Sequence, residues 1–304
     1  MQKTRIPNTR AMFASHAARH AATNTSRGAL SACDVPELPE VETIARGLQM
    51  AVAGKTIGTV LLLRPKVVVP EAERFVAAVC GERIATVGRR GKFVVFSLVS
   101  GRQLVVHLRM TGRLVVQAAG ATSPEPYTNA LLTFTDATRL CFADVRRFGR
   151  MVLIDADHGW MPELGVEPLS NDFSFECFSR LVAGRTTPIK AFLLDQRRIA
   201  GLGNIYACEA LWQARVRPTR AAGQLTLAAR RRLHAAIRDV LARAIDLRGT
   251  TVDNYVDADG LRGGFQNVLR VYSRAGTACE RCERPIVRTV VAQRGTWWCR
   301  RCQT

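Results

Sequence analysis

Near the end of the chain four cysteines fall as Cys279-x2-Cys282-x16-Cys299-x2-Cys302. Two such knuckles bring four thiolates to one tetrahedral Zn2+, and the residues between them make a hairpin that closes the site. A redox pair needs one CxxC in a βαβ setting, which the sequence does not offer. With four cysteine ligands and no open position, the expected ion is structural, one per chain. Such a ribbon holds a surface in place and does not by itself imply an enzyme. The other five cysteines (Cys33, Cys80, Cys141, Cys177, Cys208) are scattered, mostly in apolar segments. In a chain this long they read as reduced thiols, which implies a cytosolic setting.

The 304 residues suggest two domains around a large core, and their formal charge is +19. Residues 1–35 hold five basic residues and one acid, so 39 basic against 24 acidic residues remain, a surplus of 15 on the folded body. A surplus of this size favours a polyanion, either nucleic acid or an anionic membrane, although a generally basic surface gives the same count. No apolar run approaches the roughly 18 residues of a membrane-spanning helix.

Residues 1–35 are rich in Ala, Ser, Thr, Asn and Arg without apolar periodicity, and are expected to be a disordered extension. From Pro39 to Gly54, Val41, Ile44, Leu48 and Val52 recur at helical spacing. β-Branched runs follow at 57–63, 92–99, 102–108, 113–117, 130–135, 140–143 and 151–154, the cadence of an antiparallel sandwich. Beyond residue 160 the pattern turns helical, at 172–183, 188–196, 204–214 and 225–247. The expected divisions are an extension (1–35), a β-sandwich domain (36–160), a helical domain (161–270) and a zinc module (271–304).

Several segments carry possible chemistry. Gly201-Leu-Gly-Asn204 lies between two helices, where backbone N–H groups at a helix start favour an anion. Asn204 suits either a helix cap or a phosphate contact. Asp144-Val-Arg-Arg-Phe-Gly149 suits insertion into a duplex, or a salt-bridged turn with a core Phe. Met110, in His107-Leu-Arg-Met-Thr-Gly112, suits a wedge or ordinary packing. Arg294 beside Gly295 suits a phosphate clamp or a solvated side chain. Pro36-Glu-Leu-Pro-Glu40 reads locally as an acidic helix start.

Taken together these segments resemble the formamidopyrimidine-DNA glycosylase family. The matching pieces are PELPEVETIARGL (36–48), GRRGKF (88–93), HLRMTG (107–112), DVRRFG (144–149), LGVEPLSNDF (164–173), IAGLGNIYACEALW (199–212), VYSRAGTACERC (271–282) and QRGTWWCRRC (293–302). They run in the family's order, so the resemblance covers everything but the extension. It implies an α+β, multi-domain chain: an N-terminal antiparallel β-sandwich with a flanking helix, a helix-two-turns-helix domain, and a C-terminal zinc-ribbon hairpin. It also implies a bifunctional glycosylase and abasic-site lyase for oxidised purines in damaged double-stranded DNA, working as a monomer in the bacterial cytoplasm with no membrane partner.

By the same resemblance, Pro36, Glu37, Lys92 and Arg294 form the catalytic set, and Glu40 supports it. Lys92, His107, Lys190, Asn204, Tyr272 and Arg294 match phosphate-gripping positions. Met110, Arg146 and Phe148 match the triad that fills the gap left by an everted base, and about 252–266 match a lid. The family commonly has Gly and Ser at Arg109 and Thr111, and Pro at Val145 and Val166. An endonuclease VIII-like pyrimidine enzyme is the nearest alternative. A non-catalytic damaged-DNA-binding protein follows if Pro36 stays internal, because an amide nitrogen is no nucleophile. Val35 stands where the family has its initiator Met, so translation from a GUG-type codon there is expected to free Pro36.

Overall fold

The computed structural model describes residues 36–155, 163–251 and 263–304. The extension and residues 252–262, the greater part of the expected lid, lie outside the described residues. The first element is helix α1 (Leu38–Val52), with Pro39 in its first turn. The Glu40 carboxylate turns back to accept the Glu37 backbone N–H at 2.9 Å, satisfying a donor at the helix start. Val41, Ile44, Leu48 and Val52 form a buried stripe in the sandwich core, whereas Leu38 belongs to the core of the helical domain. One helix is therefore rooted in both.

In chain order the strands that follow are β1 (Ile57–Leu62), β2 (Val68–Val69), β3 (Ile84–Arg90), β4 (Phe93–Leu98), β5 (Gln103–His107), β6 (Gly112–Gln117), β7 (Thr128–Phe134), β8 (Arg139–Asp144) and β9 (Arg150–Ile154). A short helix, α2 (Ala72–Val79), precedes β3. The strands form two sheets, β1-β7-β8-β6 and β2-β9-β5-β4-β3, packed on one apolar core. The pairings are antiparallel except β2 with β9, which is parallel.

Helix α2 and strand β3 carry no clear pattern in the sequence. In β3 a register shift between Ile84 and Thr86 puts the buried residues, Ile84 and Val87, three positions apart. Strict alternation is thereby broken. In α2 only Phe75 and Val79 are buried, too short a stripe to stand out beside a β-branched run.

The second body contains α3 (Phe175–Val182), α4 (Ile189–Leu194), α5 (Asn204–Gln213) and α6 (Leu227–Asp246). Ser174 and Thr226 cap α3 and α6 by accepting the N–H of Cys177 at 3.1 Å and of Ala229 at 3.2 Å. The C-terminal hairpin pairs β10 (Val287–Val291) with β11 (Arg294–Trp298). Its two turn residues, Ala292 (φ 51°) and Gln293 (φ 59°), are both left-handed, as a tight two-residue hairpin requires. Cys279, Ile286, Trp297 and Cys299 lie in the same apolar cluster as the helices, so the cysteine module shares the helical domain's core.

The two bodies are also joined by charge. Arg89, whose side chain is only 7% exposed, reaches Glu42 on α1 at 2.9 Å and Glu167 at 2.7 Å. Glu167 in turn accepts from Arg90 at 2.8 Å and from the Gly91 N–H at 2.6 Å. This network fixes the β3–β4 turn, and with it Lys92, against the helical domain.

Candidate active site and DNA interface

The residue after Pro36 is held at three points. Its N–H is taken by Glu40, the next N–H, of Leu38, donates to the Gly201 carbonyl at 3.1 Å, and its carboxylate reaches the start of α5. There it accepts the N–H groups of Ile205 at 3.1 Å and Tyr206 at 3.5 Å. Glu37 thus caps α5 from another domain, and Asn204 does not: the cap position is Gly203, with no side-chain cap bond. A Cβ on Gly203 would lie 2.1 Å from the Glu37 carboxyl carbon, so only glycine permits this approach. Asn204 is left with a buried Oδ1 that has no partner among the described residues.

Burial pushes the Glu37 carboxyl up to about 7, with a smaller push from Glu40, against the pull of Lys92 and the two helix N–H groups. Near neutral pH it can both give and take a proton. Glu40 is also buried and raised, chiefly by desolvation. It accepts from the Tyr206 hydroxyl and from the Thr250 N–H, the latter at 2.7 Å.

Of the expected DNA contacts, Lys92 and Lys190 lie within electrostatic reach of Glu37. Lys92 follows Gly91 in the β3–β4 turn, and the neighbouring Phe93 pairs with His107 across β4 and β5. His107 accepts the Arg109 N–H through Nδ1 at 3.0 Å. Desolvation, then Arg109 and Lys92, hold its pKa well below the usual range. The ring is therefore neutral at pH 7 with its proton on Nε2, a donor for an anion.

Met110 lies in the β5–β6 turn, and Arg146 and Phe148 in the β8–β9 turn. Asp144 ties the two turns together: it accepts from the Thr111 hydroxyl, from the Arg146 N–H at 3.2 Å and from the Gly149 N–H at 2.7 Å. Phe148 is 45% exposed with the Arg146 guanidinium 5.0 Å from its ring centre, so it is not a core residue.

In the C-terminal hairpin Arg294 is exposed at the tip. Tyr272 is buried with its ring 4.5 Å from that of Trp297. Lys190 differs from its expected place. It is fully buried beneath the hairpin, donating to the Gly295 carbonyl at 2.8 Å and to Thr296 Oγ1 at 2.7 Å, with the Cys208 thiol as a third neighbour. A phosphate contact needs an exposed ammonium, and this one instead carries the backbone beside Arg294.

The four cysteine sulfurs lie within 4.8 Å of one another, with Cys279–Cys302 at 4.0 Å and Cys282–Cys299 at 3.4 Å. Zn–S bonds of about 2.3 Å in a tetrahedron put sulfurs about 3.8 Å apart, so the cluster fits zinc. Cys279, Cys282, Cys299 and Cys302 would hold it, and its chemistry there is structural.

Three family models match along the chain. They are the formamidopyrimidine-DNA glycosylase N-terminal domain at 35–151, the formamidopyrimidine-DNA glycosylase H2TH domain at 164–256, and the zinc finger found in FPG and IleRS at 276–304. The formamidopyrimidine-DNA glycosylase of Enterococcus faecalis is 43% identical over 274 residues, covering 88% of this chain and 97% of that protein. The chain belongs to the formamidopyrimidine-DNA glycosylase family. Among solved structures, the MutM (FPG) protein of Thermus thermophilus is 45% identical with a TM-score of 0.79, covering 88% of this chain and 98% of that one. Lactococcus lactis Fpg, solved in complex with abasic-site DNA, is 36% identical with a TM-score of 0.82, covering 88% and 99%.

Sequence reasoning missed two supporting carboxylates in this family fold. Glu167 buttresses the Lys92 turn through Arg90 and the Gly91 N–H. Glu209, 3% exposed on α5, accepts the N–H groups of Arg270 at 2.9 Å, Val271 at 3.0 Å and Tyr272 at 2.8 Å. An acid inside the apolar run Tyr206-Ala-Cys-Glu-Ala-Leu-Trp212 was the available signal, since a buried carboxylate needs several donors.

Two outcomes are expected. Between its ordinary 4.5 and about 7, Glu37 keeps a proton in the folded state that the unfolded chain has lost, so folding stability falls as pH rises through that window. Glu37→Gln should therefore be more stable to unfolding than the parent at pH 8, by on the order of 3–4 kcal/mol at most, with the gap closing toward pH 4.5. Equal melting curves at pH 8 would show that the carboxyl is not desolvated. The second concerns Lys190. Lys190→Met and Arg294→Ala should each weaken binding to an abasic-analogue duplex at unchanged zinc content, and the double variant should lose little more than the worse single one. Losses that add would mean that Lys190 meets a phosphate independently.

Proposed function

We propose that this chain is a bifunctional base-excision-repair enzyme that removes oxidised purines, 8-oxoguanine and formamidopyrimidines, from duplex DNA and then cleaves the strand, with Pro36 as N-terminal nucleophile. The observation that carries it is the Glu37 carboxyl: buried, balanced near neutrality, and fixed on the start of α5 one residue from the proline. The names of the relatives favour the purine substrate over the pyrimidine one. Among the described residues no helix is long and apolar enough to cross a membrane. Action on DNA in the bacterial cytoplasm agrees with the basic body and the bacterial relatives.

A terminal amine has a pKa near 8, so on the order of 10–20% is neutral at pH 7. Its lone pair attacks the sugar C1′, and the C1′–N bond breaks with its electrons leaving on the damaged base, which takes a proton. The amine then loses its proton and the C1′–O4′ bond breaks, O4′ taking a proton and the nitrogen lone pair closing onto C1′. Because the amine is secondary, the resulting iminium keeps its positive charge and acidifies the 2′ hydrogen. Loss of that proton expels the 3′ phosphate, and a second elimination expels the 5′ phosphate. Glu37 would relay the protons, and Lys92, His107, Asn204 and Arg294 would hold the strand. Met110, Arg146 and Phe148, on turns locked together by Asp144, would occupy the space of the everted nucleotide.

Protein beginning at Pro36 should be trapped by borohydride on an 8-oxoguanine duplex through its N-terminus, whereas protein retaining residues 1–35, checked by intact mass, should not. Equal trapping by the long form would move the nucleophile elsewhere, and no trapping by either would leave a damaged-DNA-binding protein. For the wedge, Phe148→Ala is expected to slow excision from duplex DNA by about tenfold or more while affecting cleavage of a pre-formed abasic site less, since less stacking must be broken there. Equal losses on both substrates would confine Phe148 to a packing role.

A further inference from the structure

Helix α5 points its first turn at Glu37, and its ten residues carry the chain about 15 Å away from that site. At its far end lies a second basic surface. Residues 214–220 contain three arginines and no acid, and residues 281–304 contain six arginines and one acid, Glu283. The fold brings these stretches together. The Gln303 side chain donates to the Val216 carbonyl at 2.9 Å, the Arg217 N–H to the Thr304 carbonyl at 3.3 Å, and Arg220 to the same oxygen at 3.4 Å.

Part of this charge has a local use. Arg281 donates to the Trp212 and Gln213 carbonyls at the end of α5, where a cation is favoured. That use does not extend to Arg217, Arg220, Arg300 and Arg301. All four are exposed; Arg217 lies 5.4 Å over the Trp298 ring and Arg220 reaches the Thr304 carbonyl, but among the described residues none of the four pairs with an Asp or Glu side chain. Glu280, an acid of the nearby knuckle, is taken by Arg270 and Arg274. Arg217 and Arg300 also line, with Trp298, a surface cavity of about 550 Å3. Four guanidiniums on two rigid supports, a zinc knuckle and the turn after a buried helix, suit the phosphates of a nucleic-acid backbone.

We propose that Arg217, Arg220, Arg300 and Arg301 form a second, sequence-independent DNA-binding surface that takes a separate duplex while the site around Glu37 holds the first. The inference rests on the DNA-repair reading of the site around Glu37. Its consequence is direct transfer: a bound chain captures a second duplex before releasing the first, so it searches DNA without returning to free solution. With four phosphates neutralised, capture of the second duplex carries a log–log salt slope of about −3.6.

The test preloads the full, zinc-bearing chain on a fluorescent duplex carrying a tetrahydrofuran abasic analogue and chases with undamaged duplex. The dissociation rate should rise with chase concentration. In the variant Arg217→Gln/Arg220→Gln/Arg300→Gln/Arg301→Gln it should stay at the chase-free value, with zinc content retained and analogue affinity within about twofold of the parent. Because Arg300 and Arg301 adjoin the knuckle, Arg217→Gln/Arg220→Gln alone is a second arm, expected to lower the concentration dependence with the knuckle untouched. A parent rate independent of chase, a variant that keeps the dependence, or a loss of analogue affinity parallel to the loss of transfer would each overturn the proposal. Absence of any preference for the analogue over undamaged duplex would instead overturn the repair reading.

Discussion

The structure depends most on one carboxylate placed against one helix start. Glu37 comes from the segment before the sandwich, and the N–H groups it accepts belong to the helical domain, 168 and 169 residues later. Removing a carboxyl from water is costly, and here two backbone donors and the positive end of α5 offset only part of that cost. The remainder appears as an elevated pKa. A better solvated or more fully bonded carboxylate would be more comfortable and too weak a base near pH 7. The discomfort is the chemically useful property, and the rest of the fold has to bear it.

That burden explains why so many supports converge. Gly203 has no side chain because the carboxyl fills its Cβ position. Leu38 roots α1 in the helical core while its following turns root in the sandwich. Arg89 and Glu167 clamp the same two bodies from another side. Lys190 plays the corresponding part for the C-terminal hairpin, where burial lowers its pKa while the Gly295 carbonyl and Thr296 hydroxyl bind it. The charged supports, Arg89 with Glu167 and Lys190, are satisfied by groups remote in sequence, which makes the site geometry sensitive to domain docking.

This remoteness also marks the limit of what the sequence disclosed. The cysteine spacing, the helix stripe of Val41, Ile44, Leu48 and Val52, and seven of the strands are local patterns, and they were legible. So were the residues at the turns, because eight ordered segments name them together. Strand β3 was hidden by a bulge that breaks its period. The burial of Lys190 was hidden because its partners lie 105 and 106 residues away. Asn204 looked like a cap because nothing local shows that Glu37 already occupies that place. In each case the deciding neighbour comes from another element.

The positions where the chain departs from the family pattern show how such neighbours reshape chemistry without touching a catalytic residue. Thr111, where the family commonly has Ser, keeps the hydroxyl that bonds Asp144, so the link between the β5–β6 and β8–β9 turns survives with an added methyl. Arg109, where Gly is common, holds a left-handed backbone at φ 56°, which costs a non-glycine residue about 1 kcal/mol or more. Its N–H still closes onto His107 Nδ1, so the turn keeps its shape. What the arginine adds is a cation beside the imidazole, and that cation joins Lys92 and desolvation in keeping His107 uncharged. A neutral ring with Nδ1 occupied has only its Nε2 proton to offer an anion, a hydrogen bond without charge, and the charge beside it is that of Arg109 itself.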